Sequence, residues 1–256
     1  MASYRAEGIV IKRTDFSEAD RILTVFTKDR GKISALAKGV KKVTSRKSGH
    51  IELLNHSLFF IAEGKSLDIL TEVETIDPFQ GIKGGLEKSS LGYYMAEFIN
   101  EFVKEGQVNY PLFRLFLMAL SFLNDAEEER GSLLVRAFEL KALSELGFAP
   151  EMRRCVLCGE PLTWSGRNGF SPEDGGVVCA HCTSGREFPL EKKTLGLLRK
   201  MTVSSWRRIG RLTLSEVSVR KIQELMQSYI EYVLEKRLKS TELLEKIHSG
   251  DFTPIK

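Results

Sequence analysis

The chain of 256 residues has no apolar run approaching about eighteen residues, the length that marks a membrane-spanning helix. We therefore expect no membrane contact. Residues 1–7 lack the apolar core of a secretory signal peptide. From this we expect a soluble cytoplasmic protein whose thiols stay reduced.

Motifs of common catalytic sites are also missing. The sequence has no GxSxG and no HExxH, and its four histidines form no cluster. Gly64-Lys65-Ser66 looks like the end of a phosphate-binding loop, but Phe59 occupies the position of the required first glycine. These absences predict that the protein is not an enzyme.

Cysteine is scarce, and its placement is the most specific pattern in the chain. All four cysteines fall in two CxxC pairs, Cys155 with Cys158 and Cys179 with Cys182. Each pair bends around one metal ion so that two sulfurs face it, and two such bends complete a tetrahedron. We predict a structural Zn²⁺ site with all four cysteines as ligands, because a catalytic zinc ion keeps one position open.

Other interpretations of the cysteines are weaker but remain open from sequence alone. Two disulfides need an oxidising compartment, and a redox CxxC usually occurs once beside a βαβ pattern. His181 could replace one of the four sulfur ligands. A zinc hydrolase or deaminase needs a glutamate in an HxE context, which the nearby acids Glu160, Glu173 and Asp174 do not provide.

The residues before Pro78 have the pattern of a small β-barrel. Apolar and β-branched residues form five short runs, and glycine-containing turns separate several of them. The predicted strands cover residues 8–12, 21–27, 32–37, 53–61 and 67–76. This favours a five-stranded OB-type barrel. An SH3-like barrel is the competing interpretation, because periodicity does not separate the two.

After Pro78 the apolar residues recur at helical spacing. An acidic loop is expected at 125–131, with Ser132 as the cap of the helix that follows. The predicted helices cover residues 86–103, 112–123, 133–146 and 190–201, a long stretch from Ser215, and 243–247. The predicted fold is a multidomain α+β protein, with an OB-type barrel followed by a helical domain that carries an inserted four-cysteine zinc module. The predicted segments are 1–79 for the barrel, 80–150 and 187–256 for the helical domain, and 151–186 for the zinc module.

Basic residues are concentrated in one segment of the barrel, although the net charge of the chain is only +4. Between residues 28 and 47 the only acidic residue is Asp29. The core of this run, residues 37–49, is predicted to be a flexible basic loop between barrel strands. A basic loop of this kind can follow a nucleic-acid backbone, whereas most charge runs are simply solvated surface. We predict that it binds DNA. The predicted DNA-binding residues are Lys38, Lys41, Lys42, Arg46 and Lys47 in the loop, with Lys12, Arg13 and Arg21 on the first two strands.

A second basic cluster follows the cysteines and is a candidate for a further DNA contact. Its predicted members are Arg186, Lys192, Lys193, Arg207 and Arg208. Trp206 lies beside two of them. Its ring could stack on a base or pack against the helical core, and the sequence leaves both open.

Several stretches resemble the bacterial RecO family of DNA repair proteins. Residues 7–27 (EGIVIKRTDFSEADRILTVFT) look like the first two strands of that family, and residues 31–42 (GKISALAKGVKK) are similar to its basic loop. Residues 145–159 (ELGFAPEMRRCVLCG) resemble its entry into the zinc module, and Lys239-Ser240 is similar to its terminal signature. The resemblance covers essentially the whole chain.

The resemblance implies a recombination mediator that is not an enzyme. Such proteins bind single- and double-stranded DNA and anneal complementary strands. They act with RecR, and in some settings RecF, to load RecA onto strands coated by single-strand-binding protein, whose C-terminal tail they contact. The resemblance also implies nucleoid association, and it leaves the protein-partner pocket unplaced. The alternative is an RNA-binding or ribosome-associated zinc-ribbon protein, which the same barrel, basic loop and zinc site would serve.

Overall fold

The computed structural model describes residues 2–164, 166–212 and 214–249. The chain forms two compact units. The barrel unit comprises residues 1–128 together with 238–256, and the cysteine unit comprises residues 129–237. The predicted boundaries after residues 79, 150 and 186 stay predictions, and none of them coincides with the limits of these two units.

The barrel unit contains a closed five-stranded barrel, which confirms the predicted OB-type fold. Its strands join in the order β1-β2-β3-β5-β4, and β1 also pairs with β4. All pairings are antiparallel except the short one between β3 and β5. The strands are β1 (Ser3–Asp15), β2 (Arg21–Thr27), β3 (Gly31–Ala37), β4 (His56–Ala62) and β5 (Asp68–Asp77).

Alternating side chains fill the barrel because successive strand residues point to opposite faces. The pairs Leu23/Val25, Ala35/Ala37 and Phe59/Ile61 all lie in one buried cluster. Gly31 begins β3 with a φ of +67°, and a Cβ atom there would lie 2.3 Å from the carbonyl oxygen of Gln107. Glycine is therefore required at this turn by both backbone conformation and space.

Helices complete the barrel unit. They are α1 (Gln80–Lys83), α2 (Leu86–Phe102), α3 (Tyr110–Asp125) and, at the end of the chain, α8 (Lys239–Ser249). Asn109 caps α3 by accepting a hydrogen bond from the Leu112 backbone N–H, and Pro111 lies in the first turn, where it removes no helical hydrogen bond. None of the helices in the part of the chain that the structure describes is long and apolar enough to cross a membrane.

The cysteine unit joins helices to a small sheet. Its elements are α4 (Glu128–Glu145), β6 (Asn168–Ser171), β7 (Gly176–Val178), β8 (Phe188–Leu190), α5 (Lys192–Val203), α6 (Trp206–Ile209) and α7 (Glu216–Leu234). The sheet order is β7-β6-β8. Phe170 on β6 makes an edge-to-face contact with Tyr229 on α7, with ring centroids 5.6 Å apart. The sheet is thereby packed against α7.

The predicted acidic loop at 125–131 is wrong in its second half. α4 begins at Glu128, so Ser132 lies inside the helix and does not cap it. The reason is electrostatic, because Glu128 and Glu129 then lie in the first turn, where the helix dipole favours negative charge. The acidic composition that suggested a loop is also typical of the start of a helix.

The last helix is attached to α2 through one carboxylate. Glu97 accepts hydrogen bonds from the backbone N–H groups of Lys239 at 2.9 Å and Ser240 at 2.8 Å, and also from the Ser240 hydroxyl. The first N–H groups of a helix have no partner within the helix, so Glu97 caps α8 from another element. This contact returns the end of the chain to the barrel unit.

We predict that Glu97→Ala loosens α8. The variant leaves two backbone donors and one hydroxyl without an acceptor, which costs about 1–3 kcal/mol. Hydrogen exchange measured by mass spectrometry should speed up in residues 239–247 while the barrel strands keep their protection. Glu97→Gln, which retains one oxygen, should have a smaller effect. Unchanged exchange in α8 of Glu97→Ala would contradict this role.

Candidate metal centre and nucleic-acid interface

The four cysteines converge on one point in the cysteine unit. Their sulfur atoms all lie within 4.8 Å of one another, and the sulfurs of Cys158 and Cys179 are 3.8 Å apart. A tetrahedral zinc ion with Zn–S bonds of about 2.3 Å separates its sulfurs by about 3.8 Å. The residues therefore fit a four-thiolate metal site, and the exposed His181 is not part of the group.

Tight backbone turns aim the sulfurs. In the first pair, the Gly159 N–H donates to the Cys155 carbonyl at 2.8 Å, and Gly159 has a φ of +77°. In the second pair, the N–H groups of Cys182 and Thr183 both donate to the Cys179 carbonyl at 3.0 Å. The sequence spacing thus folds into two knuckles, one from each CxxC motif.

Charge explains why this cluster suits a divalent cation. Burial opposes ionisation of Cys155, but N–H donors from Cys179, Cys158 and Leu157 outweigh it and lower the pKa of the thiol to about 6. Hydrogen bonds to the sulfurs of Cys158 and Cys179 raise the pKa of Cys182 to about 12. The protein alone thus favours the thiolate of Cys155 and disfavours that of Cys182, and a bound cation would offset the charge of both.

Glu187 supports the second knuckle, and the sequence analysis missed it. Its carboxylate accepts from the N–H groups of Ser184 and Gly185 and from the Thr183 hydroxyl at 2.6 Å. Hydrogen bonds from the Ser184 N–H and the Thr183 hydroxyl lower the pKa of Glu187 to about 2. The sequence pattern that could have indicated this role is a glutamate a few residues after the last CxxC motif, with Thr and Ser between them.

The basic loop, residues 38–47, is joined to the β1–β2 loop, residues 16–20. Asp20 accepts a hydrogen bond from the Gly39 N–H at 2.8 Å. The Lys41 N–H donates to the Ala19 carbonyl at 3.0 Å, and the Lys41 ammonium donates to the Ser17 carbonyl at 3.4 Å. We call these two loops together the loop platform. Its two halves are held by backbone as well as side-chain bonds.

Asp15 binds two of the predicted DNA-contacting cations. It accepts hydrogen bonds from Arg21 at 2.8 Å and Lys41 at 3.0 Å, and both lower the pKa of its carboxyl group. Arg13 pairs with Glu52 at 2.7 Å, and Lys47 donates to the Leu70 carbonyl at 3.3 Å. These four cations have structural partners in the barrel unit.

Three loop cations remain available to a ligand. Lys38, Lys42 and Arg46 are exposed, and among the described residues their side chains make no ion pair or hydrogen bond. Val40 anchors the loop between them by inserting into the barrel cluster, where it is 2% exposed. Lys12 is also exposed, on β1. Of the eight predicted DNA-binding residues, four thus have a hydrogen-bond or ion-pair partner in the barrel unit, and four have none among the described residues.

The second basic cluster lies on the surface of the cysteine unit. Its five predicted members, Arg186, Lys192, Lys193, Arg207 and Arg208, are exposed. No acidic residue occurs between positions 192 and 215.

Trp206 is only 5% exposed and packs in the interior. Of the two interpretations that the sequence left open for Trp206, packing is therefore the one realised.

Comparison with known proteins gives the same family for both ends of the chain. The family model for the N-terminal part of recombination protein O matches residues 1–79, and the model for its C-terminal part matches residues 84–242. A DNA repair protein RecO from Dehalococcoides mccartyi is 33% identical over 97% of this chain and 97% of its own length. The RecO protein of Pelotomaculum thermopropionicum is 35% identical, covering 96% and 95% respectively. That of Moorella thermoacetica is 32% identical, covering 97% and 92%.

We predict that purified protein binds one Zn²⁺ per chain through the cysteine cluster. Cys179→Ser removes a buried ligand, so metal content measured by mass spectrometry should fall well below one, and the thermal midpoint should decrease. His181→Ala is the matched control and should keep both values. Full metal content in Cys179→Ser, or its loss in His181→Ala, would contradict the four-thiolate assignment.

Proposed function

The chain belongs to the RecO family, and on that premise we propose that it is a DNA-binding recombination mediator that anneals complementary strands. Its relatives are DNA repair proteins, which supports a role in DNA repair and recombination. The observation that carries the annealing proposal is the set of exposed cations without partners on the loop platform: Lys38, Lys42 and Arg46.

The proposed mechanism is electrostatic. Cations on the platform would bind phosphates of one strand and release its counterions, which makes binding sensitive to salt and tolerant of sequence. The bases stay available for pairing because the protein holds the backbone. Two strands whose charge is partly neutralised repel each other less, so annealing speeds up without any bond being made or broken by the protein.

The second basic cluster would hold the complementary strand. Its exposed residues Arg207 and Arg208 lie in a segment free of acidic residues, which favours phosphate contact. In this proposal the barrel unit and the cysteine unit each contribute one strand-binding surface. Double-stranded DNA, the product of annealing, would be bound through the same charges.

The zinc ion would act as a structural element. Cys155, Cys158, Cys179 and Cys182 would fill all four positions, and a filled coordination shell offers no place for a substrate. The cation would offset the charge of the thiolates and fix the knuckles that lead into β6 and β8. We therefore propose a protein that is not an enzyme and that uses its metal for folding.

Membership of the RecO family also supports a proposal about the proteins with which this chain acts. We propose that the protein acts with RecR, and in some settings RecF, to load RecA onto DNA coated by single-strand-binding protein. It would contact the C-terminal tail of that protein. The place of action that this role implies is the cytoplasm, at the nucleoid. A role in binding structured RNA is the alternative, and a marked preference for RNA over single-stranded DNA would favour it.

We predict that the cations without partners dominate DNA binding. The double variant Lys42→Ala/Arg46→Ala should bind an oligothymidylate more weakly. Its plot of log binding constant against log salt concentration should be shallower by about 1.4, because each phosphate contact on a single strand contributes about 0.7. Arg13→Ala, which removes a cation paired with Glu52, is the matched control and should change the slope little. Equal slopes for the double variant and the wild type would remove this loop from the mechanism.

We predict that annealing needs both basic surfaces. Wild-type protein should accelerate annealing of complementary fluorescent oligonucleotides without a nucleotide cofactor, both naked and coated with single-strand-binding protein. Arg207→Ala/Arg208→Ala should slow annealing severalfold while single-strand affinity at the loop platform stays within about twofold. No acceleration by the wild type at low salt would overturn the proposed function. Annealing at the wild-type rate by the double variant would exclude the second basic cluster from the mechanism but would leave the role of the loop platform unaffected.

A further inference from the structure

The side chain of Phe16 is exposed in the β1–β2 loop, immediately after the last residue of β1. It is 59% exposed, and the loop beneath it is held by its own hydrogen bonds. The N–H groups of Phe16 and Ser17 donate to the Asp20 carbonyl at 3.1 and 3.4 Å, and the Asp20 N–H donates to the Ser17 hydroxyl at 3.2 Å. The loop thus holds an apolar ring in solvent on a well-bonded turn.

Phe16 is distinctive within the barrel part of the chain. Among the Phe and Tyr side chains of the described residues 2–79 it is the only exposed one. Phe26, Phe59 and Phe79 are buried, and Tyr4 lies under the Arg30 guanidinium at 3.9 Å from its ring centroid. Single exposed apolar residues are ordinary on protein surfaces, so exposure alone assigns nothing.

The second observation is the position of Phe16 on the loop platform. Asp20, Ala19 and Ser17 of the same loop bind the backbone N–H of Gly39 and both nitrogen atoms of Lys41. The ring therefore shares one hydrogen-bonded platform with the exposed cations of the basic loop. Cations that bind phosphate and an aromatic face that stacks on a base are together the chemistry that recognises an unpaired strand.

We propose that Phe16 is a base-stacking contact that gives the loop platform a preference for unpaired DNA. This inference rests on the proposed DNA binding and adds a residue that distinguishes single-stranded from double-stranded DNA. In a duplex the faces of the bases are covered by neighbouring pairs, so the ring has nothing to stack on. In a single strand an exposed base can leave its neighbour and stack on Phe16 while the cations hold the adjoining phosphates.

The test compares Phe16→Ala with Phe16→Tyr on an oligothymidylate and on a duplex of equal length. Phe16→Ala should weaken single-strand binding about 5- to 140-fold, the range expected for one stacked base. Its duplex affinity should stay within about twofold, and its salt slope should not change, because no charge is lost. Phe16→Tyr keeps the ring and should restore single-strand binding. Circular dichroism and metal content confirm that each variant is folded.

Ile76→Ala is the matched control, since Ile76 is an exposed apolar residue of β5 that lies outside the loop platform and offers no π face. It should leave both affinities unchanged. A 2-aminopurine base in the strand gives a direct signature, because its fluorescence is quenched by neighbouring bases and should rise when the base leaves them to stack on Phe16 in the wild type, but rise much less with Phe16→Ala.

The outcomes separate this inference from the proposed function. If the wild type binds both DNAs and Phe16→Ala binds each of them with the wild-type affinity, the stacking role is wrong while the proposed DNA binding stands. The same holds if Phe16→Ala weakens single strand and duplex alike. If Phe16→Ala keeps DNA binding and loses only binding of a partner protein, Phe16 is a protein contact and the inference is overturned. If the wild type binds neither DNA, both proposals fail.

Discussion

Barrel closure is the constraint on which the loop platform depends. β1 pairs with both β2 and β4, and its register places Asp15 opposite Arg21, which in turn lies opposite Ala37 on β3. Ala37 is the last residue before the basic loop. The two loops of the platform therefore leave the barrel from neighbouring strand positions, and a shift in register would separate them.

Two aspartates then fix the basic loop while three of its cations stay available. Asp15 binds Arg21 and Lys41, and Asp20 binds the backbone of the basic loop. Exposed ion pairs of this kind contribute little stability by themselves. Their consequence is positional, because the loop is fixed while Lys38, Lys42 and Arg46 keep their charge for a ligand.

The sequence predicted the elements better than their long-range contacts. Short apolar and β-branched runs separated by turn signals located all five strands, because such residues fill the interior of a closed barrel. The CxxC spacing located the cysteine cluster, because ligands two residues apart form one knuckle. The partner of Lys41 was not predictable, since Asp15 is distant in sequence and becomes a neighbour only through the register of β1, β2 and β3.

The same limit applies to the other contacts that the sequence did not indicate. Glu97 caps α8 across more than a hundred residues, and nothing in the local pattern of either segment marks that bond. The start of α4 was misplaced because acidic residues are common in loops and in first helical turns alike. The interior position of Trp206 depends on the packing of α6, which is only four residues long.

The proposed function depends on the loop platform being the surface that holds a DNA strand. The most direct measurement is photocross-linking of an iodouracil-substituted single strand to the wild-type protein, followed by mass spectrometry of the linked peptides. We predict cross-links in residues 16–20 and 38–47 that disappear as the salt concentration is raised. Cross-links confined to other parts of the chain, with both loops unmodified at low salt, would contradict it.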